Sequence, residues 1–201
     1  MKKKNTLIAI TAAAAALILV GPVTPATAHG SPPAPVGSIV DVAVAASGGG
    51  TPDSNPYDYD LLVQAVVATG LAPVLSDTSR RFTVFAPNDR AFLRLVKDLT
   101  GVAPASESAA LATITSALTL DQISNVLLYH VVPDRSLGAV KVLFSRSLTM
   151  ANGGVVKPRL TTLRDENPDL RDPRLVLRAL NIRASNGVVH TIDRVLIPAS
   201  L

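Results

Sequence analysis

The sequence predicts an α+β fold, and three observations carry that prediction. Apolar residues recur at helical spacing between residues 58 and 130. Beyond Pro133 they alternate or form short runs, which is typical of β-strands. Three of the four phenylalanines, Phe82, Phe85 and Phe92, fall within residues 81–95, and we expect them to share one core. Helices followed by strands are typical of an α+β domain.

Residues 81–95 predict a strand, a turn and a capped helix. Residues 82–86 are aromatic or β-branched, which favours a short strand. Pro87 ends the strand because it has no backbone N–H to donate, and Asn88 stands where a helix N-cap belongs. Asp89 then lies in the first turn, where the helix dipole favours an acid. We expect four polar residues to lie at the surface of this corner: Arg81, Asn88, Asp89 and Arg90.

Other helices follow from the same spacing. The predicted helical segments are residues 58–69, 71–75, 88–100 and 106–118. Gly70 stands at the position of a helix-ending glycine. Thr119 and Gln122 match a capping box, which opens one more helix that we expect Pro133 to close.

Strand patterns dominate after Pro133. Val140, Val142 and Phe144 alternate along the chain and predict a strand. Residues 148–150 and 155–156 flank an Asn-Gly-Gly turn, which is a hairpin signal. Residues 161–173 are polar and interrupted by proline, so they predict a surface loop.

A second hairpin is predicted from residues 175–184 and 188–197, and its turn admits two registers. A two-residue turn at Asn186 and Gly187 mixes polar and apolar side chains on both faces of the hairpin. A three-residue loop, with Gly187 in the left-handed conformation, pairs Ala184 with Val188 and separates the faces more cleanly, since the opposite face then holds Asn181, Arg183, Val189 and Thr191. We favour the three-residue loop, which points His190 into the core.

The first 28 residues predict a secretory signal. Three lysines precede an apolar run at residues 7–20, and Ala-Thr-Ala at residues 26–28 has the form of a cleavage site. An uncleaved membrane anchor is the less favoured alternative. Residues 29–56 are rich in Pro, Gly, Ser and Ala and predict a flexible linker, and residues 57–201 predict one domain.

Composition excludes several classes of function. Of the 19 basic residues, three lie in the predicted signal, so the rest of the chain is nearly balanced against 15 acidic residues. Balanced charge and 3% aromatic residues argue against nucleic-acid binding. The absence of cysteine excludes disulfides and thiolate metal sites. We expect a secreted monomer, free or associated with the cell wall, with no membrane span once the signal is cleaved.

Two histidines are the candidates for catalysis or metal binding. His130 lies on the apolar side of its predicted helix, and His190 lies on the core side of its predicted strand. A zinc site needs three or four ligands, and the spacing supplies no third. A triad of Ser185, His190 and Asp193 is disfavoured because Asp193 and His190 would point to opposite faces of their predicted strand. We therefore favour neutral, hydrogen-bonded core histidines, and we predict no enzyme activity, metal or cofactor.

Three separated segments resemble the fasciclin-type domain family. Residues 83–92 (Thr-Val-Phe-Ala-Pro-Asn-Asp-Arg-Ala-Phe) are similar to its first signature box, residues 127–133 to its central Tyr-His segment and residues 185–198 to its second box. Their order and spacing also match. The residues that carry the two boxes are Thr83, Phe85, Pro87, Asn88, Phe92, Asn186, Gly187, His190 and Asp193.

The resemblance implies a wedge or sandwich of β-strands with helices packed on it. It also implies a secreted, non-catalytic adhesion module that binds protein or polysaccharide on a cell surface or matrix. The Tyr-His segment has been linked to receptor binding in some animal members, and by residue match that contact would fall on Tyr129 and His130. The loop at residues 161–174 is longer and more charged than is usual in the family. Arg164, Arg171 and Arg174 are its candidate partner contacts, with a solvated face as the alternative.

A second hypothesis is a carrier for a small apolar ligand. It predicts a cavity of roughly a few hundred Å³ between the helices and the β-wedge.

Overall fold

The computed structural model describes residues 37–199, so the predicted signal and the first part of the predicted linker lie outside the described chain. The helices within this range are α1 (Ile39–Ala46), α2 (Asp60–Ala68), α3 (Ala72–Leu75), α4 (Asp89–Thr100), α5 (Glu107–Ala117), α6 (Leu120–Leu128) and α7 (Ala139–Leu143). The strands are β1 (Phe82–Pro87), β2 (Val131–Pro133), β3 (Leu148–Thr149), β4 (Val155–Arg159), β5 (Thr162–Arg164), β6 (Ile182–Ala184) and β7 (Gly187–Ile192).

The strands form two sheets. One has four strands in the order β2-β1-β7-β6, with β1 parallel to β7 and the other pairs antiparallel. The second has three antiparallel strands in the order β3-β4-β5. Most helices come before most strands along the chain, and the predicted α+β class is confirmed.

The four-stranded sheet separates two apolar clusters. Successive side chains of a strand point to opposite faces, so β1 contributes to both clusters. Phe82 and Val84 pack with helices α1, α2, α4 and α6 on one face. Phe85 packs on the other face with Leu148 and Leu163 of the three-stranded sheet, which forms the β-wedge. The expectation that all three phenylalanines share one core is therefore wrong for Phe85, while Phe82 and Phe92 do share one.

Helix α1 replaces part of the predicted linker. A capping box joins Ser38 and Asp41, and the Ile39 side chain is buried in the helical cluster. The Ile39 N–H donates to Asn186 Oδ1 at 2.8 Å, so this segment is bonded to the C-terminal hairpin. A flexible linker across residues 39–46 is wrong, because the cap and the burial of apolar side chains outweigh the small-residue composition.

The corner after β1 is capped as predicted but is not at the surface. The Asn88 side chain accepts a hydrogen bond from Ala91 N, which confirms the N-cap. Asn88 and Asp89 are both buried, which corrects the expectation of exposure. The Asp89 carboxylate accepts from the N–H groups of Asp60 and Leu61, so it caps the start of α2 as well.

The segment after α6 departs from the predicted pattern. Helix α6 ends at Leu128, and Pro133 ends strand β2 instead of closing the helix. The predicted strand at residues 140–144 is wrong, because residues 139–143 form α7 and pack Val142 into the wedge.

The hairpin β3-β4 is confirmed. The predicted surface loop contains strand β5, whose Leu163 is fully buried.

The C-terminal hairpin adopts neither register that the sequence suggested. Ala184 pairs with Gly187, so the turn consists of Ser185 and Asn186. Gly187 does not have a positive φ; a Cβ there would lie 2.1 Å from the Phe82 carbonyl oxygen. Strand β7 is central in its sheet, and both of its faces are covered. His190 is buried as predicted, but Val189 and Thr191 on the opposite face are buried too.

The helices are short relative to a lipid bilayer. Among residues 37–199 no single helix is long and apolar enough to cross a membrane; α5 and α6 meet the requirement only when taken together, across a bend of 109°.

Candidate functional site

His130 is a buried residue whose two ring nitrogens both bond to backbone groups. Nδ1 lies 2.7 Å from the Val126 carbonyl oxygen, and Nε2 accepts from the Leu196 N–H at 2.9 Å. Because the Leu196 N–H must donate, the ring carries its proton on Nδ1 and is neutral. Burial lowers the pKa of His130 to about 4. The side chain joins the end of α6 to the C-terminal segment.

His190 is buried in the same manner. Its Nε2 lies 2.8 Å from the Leu137 carbonyl oxygen, and its Nδ1 accepts from the Asn181 N–H. Burial lowers the pKa of His190. Asp193, the third member of the disfavoured triad, instead bonds to Arg94 and to the backbone N–H of Arg174. The geometry is that of a neutral core histidine, as the sequence favoured.

Tyr129 and His130 do not form an accessible contact surface in this structure. The Tyr129 side chain is fully buried, and its hydroxyl donates to the Val155 carbonyl oxygen at 3.0 Å. Burial raises the pKa of Tyr129. The expected receptor contact on these two residues is therefore corrected, because both side chains are held in the interior and neither reaches solvent.

Other residues of the two signature boxes are structural. Thr83 Oγ1 donates to the Arg135 carbonyl oxygen and accepts from the Leu137 N–H, each at 2.8 Å. Asn186 accepts from the Ile39 N–H and donates to the carbonyl oxygens of Leu75 and Asp77. Asn186 is fully buried and thus joins the hairpin to α1 and to the end of α3.

The candidate arginines are exposed, and two of them share a groove. Arg171 and Arg174 line an open groove of about 560 Å³ together with Arg94 and Arg194, whereas Arg164 is not part of its lining. Two acids, Asp172 and Asp193, also line this groove, so arginines outnumber acids four to two. Arg94 pairs with Asp193, and Arg194 pairs with Asp98. Within residues 37–199 the guanidinium groups of Arg171 and Arg174 bond to no side chain or carbonyl group. We call this surface the arginine groove.

A large apolar cavity lies between the helices. It has a volume of about 540 Å³ and is lined by α2, α4, α5, α6 and the C-terminal segment. Its deep lining is buried and apolar: Leu61, Phe92, Ile123, Val126, Leu127 and Ile197. Its rim is exposed: Ala68, Leu99, Ser108, Ala112 and Asp169. The predicted size agrees, but the predicted position against the β-wedge is wrong, because no strand residue of the described chain belongs to the lining.

The cavity has no charged group in its deep lining. Its ionisable lining residue is Asp169, which lies at the rim. The Gln64 amide, another polar lining group, donates to the Gly50 carbonyl oxygen at 2.6 Å. Such a lining can hold an apolar molecule through hydrophobic contact, but it offers few polar groups to orient one.

Sequence reasoning missed a buried group of acids. Asp53, Asp58, Asp60, Asp89 and Glu107 come together where helices α2, α4 and α5 begin. The available signal was that each helix carries an acid in its first turn. Such an acid is ordinarily a solvated helix cap, which is all that its sequence position predicts. Only the packing of the three helix starts brings these carboxylates together.

Comparison with known proteins gives one consistent family. A sequence profile of the fasciclin domain matches residues 58–198. Protein sll1483 of Synechocystis sp. is 30% identical over 143 residues, which are 70% of this chain and 67% of that protein. A second protein of the same organism, sll1735, is 29% identical over 140 residues, which are 69% of this chain and 89% of that protein.

The fold also matches a solved structure of a FAS1 domain pair from the insect cell adhesion molecule fasciclin I. The TM-score is 0.55 at 15% sequence identity, and the match covers 81% of this chain and 51% of that one. The chain therefore spans about half the length of the domain pair. At this identity the likeness concerns the fold alone.

Proposed function

The chain belongs to the fasciclin domain family, and from that premise we propose that it is a secreted, non-catalytic interaction module for an acidic partner on a cell surface or in a matrix. The structural neighbour is a domain pair of an insect cell adhesion molecule, which supports a role in adhesion. The predicted secretory signal supports export.

The arginine groove is the observation that carries this proposal. Guanidinium groups bind carboxylate and sulfate groups through paired hydrogen bonds. Arg171 and Arg174 are exposed and have no acidic partner within residues 37–199, so they are available to one outside the domain. Arg94 and Arg194 are held by Asp193 and Asp98, which keeps the wall of the groove in place. A carboxylated or sulfated polysaccharide, or an acidic protein segment, fits this arrangement.

The test is a charge reversal in the groove. We expect the double variant Arg171→Glu/Arg174→Glu to lose retention on a column of alginate, a carboxylated polysaccharide, and to lose binding to whole host cells. The matched control is Arg183→Glu, an exposed arginine on β6 outside the groove. Binding of the wild type should weaken as salt rises, since exposed charges are screened. Unchanged binding of the double variant to both alginate and cells would refute the groove as the contact.

The apolar cavity favours a second candidate function, the binding of a small apolar molecule. About 540 Å³ of mostly apolar space is within the range of ligand sites in proteins. Such a ligand would be held by apolar burial, at roughly 25 cal/mol per Å² of buried surface. The cavity and the arginine groove adjoin at Leu170, which lines both, but their binding chemistries differ, so separate variants can test the two candidates.

The cavity can be tested by filling it. We expect Leu111→Trp, on the α5 wall, to weaken binding of the neutral hydrophobic dye Nile red at least about tenfold, because the larger side chain occupies the binding volume. Val140→Trp is the matched control, since Val140 is exposed on α7 outside the cavity. Native mass spectrometry of protein purified from its host should show a bound apolar molecule. Equal dye binding by both variants would exclude the cavity as the site.

A further inference from the structure

The acidic group at the helix starts consists of two overlapping sets. Carboxylate oxygens of Asp53, Asp58 and Asp60 lie within 4.8 Å of one another, and so do those of Asp58, Asp89 and Glu107. Asp58 belongs to both sets. Asp53 is exposed and the other four are buried, so the first set has a path to solvent through Asp53.

The two sets differ in how many oxygen atoms are free. Both carboxylate oxygens of Asp89 accept backbone N–H groups from the start of α2, and Glu107 Oε2 accepts from the Asp53 N–H at 2.8 Å. In contrast, Asp60 Oδ1, Asp60 Oδ2 and Asp58 Oδ1 are buried and accept no hydrogen bond. Asp60 is fully buried, so its two free oxygens are shielded from water, and one of them lies within 4.8 Å of carboxylate oxygens of Asp53 and Asp58.

No basic side chain offsets these charges within residues 37–199. The ion pairs of this part of the chain are Arg80–Asp134, Arg94–Asp193 and Arg194–Asp98, and none of them involves the acidic group. Buried carboxylates are normally paired, hydrogen-bonded or bound to a metal. The helix dipoles place partial positive charge at the starts of α2, α4 and α5. However, N–H groups there already donate to Asp89 and to the N-cap side chains of Asn88 and Ser106.

We propose that Asp53, Asp58 and Asp60 bind one divalent cation of the calcium type. The ligands are all carboxylate oxygens, which suit hard cations such as Ca²⁺ and Mg²⁺ and not Zn²⁺. Ca²⁺ fits better than Mg²⁺, since Asp60 presents both oxygens for bidentate contact and two of the ligands precede α2 in the segment between α1 and α2. Asp89 and Glu107 are positioning residues, because they hold the backbone N–H groups of Asp60 and Asp53.

The bound cation would join three segments of the domain. Asp60 begins α2, Asp89 begins α4 and its carboxylate bonds to α2, and Glu107 begins α5. These helices also line the apolar cavity. A cation at their common start would therefore stabilise the helical face of the domain. Burial raises the pKa of Asp89 and Glu107.

The test is calcium titration of the full-length protein after treatment with EDTA, at pH 7.5 and constant ionic strength. We expect isothermal titration calorimetry to show one site per chain. The melting temperature should rise by about 5 °C or more at saturating Ca²⁺, with a smaller rise for Mg²⁺. Asp60→Asn removes charge at the two free oxygens and should weaken calcium binding at least about tenfold.

Two further variants make the result specific. Asp53→Asn changes the exposed ligand, disturbs no buried contact beyond the local turn and should also weaken calcium binding. Asp121→Asn changes an exposed first-turn acid of α6 and should respond to calcium as the wild type does. The proposal is overturned if the wild type shows neither heat nor a shift in melting temperature, if Na⁺ at equal ionic strength gives the same shift, or if Asp60→Asn and Asp53→Asn both retain wild-type affinity.

Discussion

Acid should destabilise the fold through His130, and the structure gives the size of the effect. The ordinary histidine pKa of 6.5 falls to about 4 in the folded protein. Between these values the unfolded chain binds a proton at this residue and the folded chain does not, so the free energy of unfolding falls as pH falls. Above pH 6.5 His130 is neutral in both states, so the free energy of unfolding has its full value there. One pKa unit corresponds to about 1.36 kcal/mol, so the loss at pH 4.5 is about 2.5 kcal/mol.

The perturbation that isolates this effect is His130→Gln. A glutamine oxygen can still accept from the Leu196 N–H, but the bond to the Val126 carbonyl oxygen is lost. We expect the variant to be less stable than the wild type by roughly 1–3 kcal/mol at pH 7.5. The difference should shrink by about 2.5 kcal/mol at pH 4.5, because the variant has no proton to take up on unfolding.

The assay is urea denaturation at several pH values between 7.5 and 4.5, and the quantity of interest is the difference between wild type and variant. Buried acids with raised pKa values oppose the histidine in the same range, but they contribute equally to both proteins and cancel. Tyr129→Phe is the control, since Tyr129 is the buried neighbour and does not titrate in this range. A difference in free energy of unfolding between wild type and His130→Gln that stays constant with pH within about 0.5 kcal/mol would refute this expectation. That result would show that His130 titrates alike in the folded and unfolded states.

Three further substitutions test the packing of the C-terminal hairpin. Asn186→Ala removes two buried and one partly buried hydrogen bond and should lower the free energy of unfolding by about 3 kcal/mol in urea denaturation; a loss below about 1 kcal/mol would contradict the assigned role. Gly187→Ala places a Cβ against the Phe82 carbonyl oxygen and should prevent folding or cost more than about 3 kcal/mol. Gly138→Ala, where the nearest atom lies at 3.3 Å, should retain most of the stability and serves as its control. His190→Ala should lower the melting temperature through a loss of roughly 1–3 kcal/mol, and an unchanged melting temperature would refute that.

Local signals in the sequence were sufficient where one interaction decides the structure. Asn88 caps α4, Thr119 and Gln122 form the capping box of α6, and the Asn-Gly-Gly turn closes the β3-β4 hairpin. Each of these depends on residues within four positions of one another. The family boxes were recognisable for a related reason, since their residues bond the β1–β7 region to α1 and to the segment at residues 135–137.

Long-range packing decided the features that sequence reasoning missed. Residues 39–46 lie in a segment whose composition is typical of a linker, but they form a helix because Ile39 packs into an apolar cluster and its N–H bonds to Asn186. The hairpin register pairs Ala184 with Gly187 and does not follow the alternation of side chains. The reason is that β7 has a strand on each side and both of its faces are covered. Alternation predicts a face only when one side of a sheet is open to water.

The sequence by itself therefore determined the α+β class, the family and the neutral state of the two core histidines. It did so because caps, turns and apolar periodicity act over a few residues. Only the tertiary structure decided the sites: the apolar cavity, the arginine groove and the acidic group at the helix starts. Each site is formed by side chains from separate elements, and Asp60 and Asp89, 29 positions apart, meet only because α2 and α4 begin at the same place. The distance between such residues depends on packing, which no local pattern records.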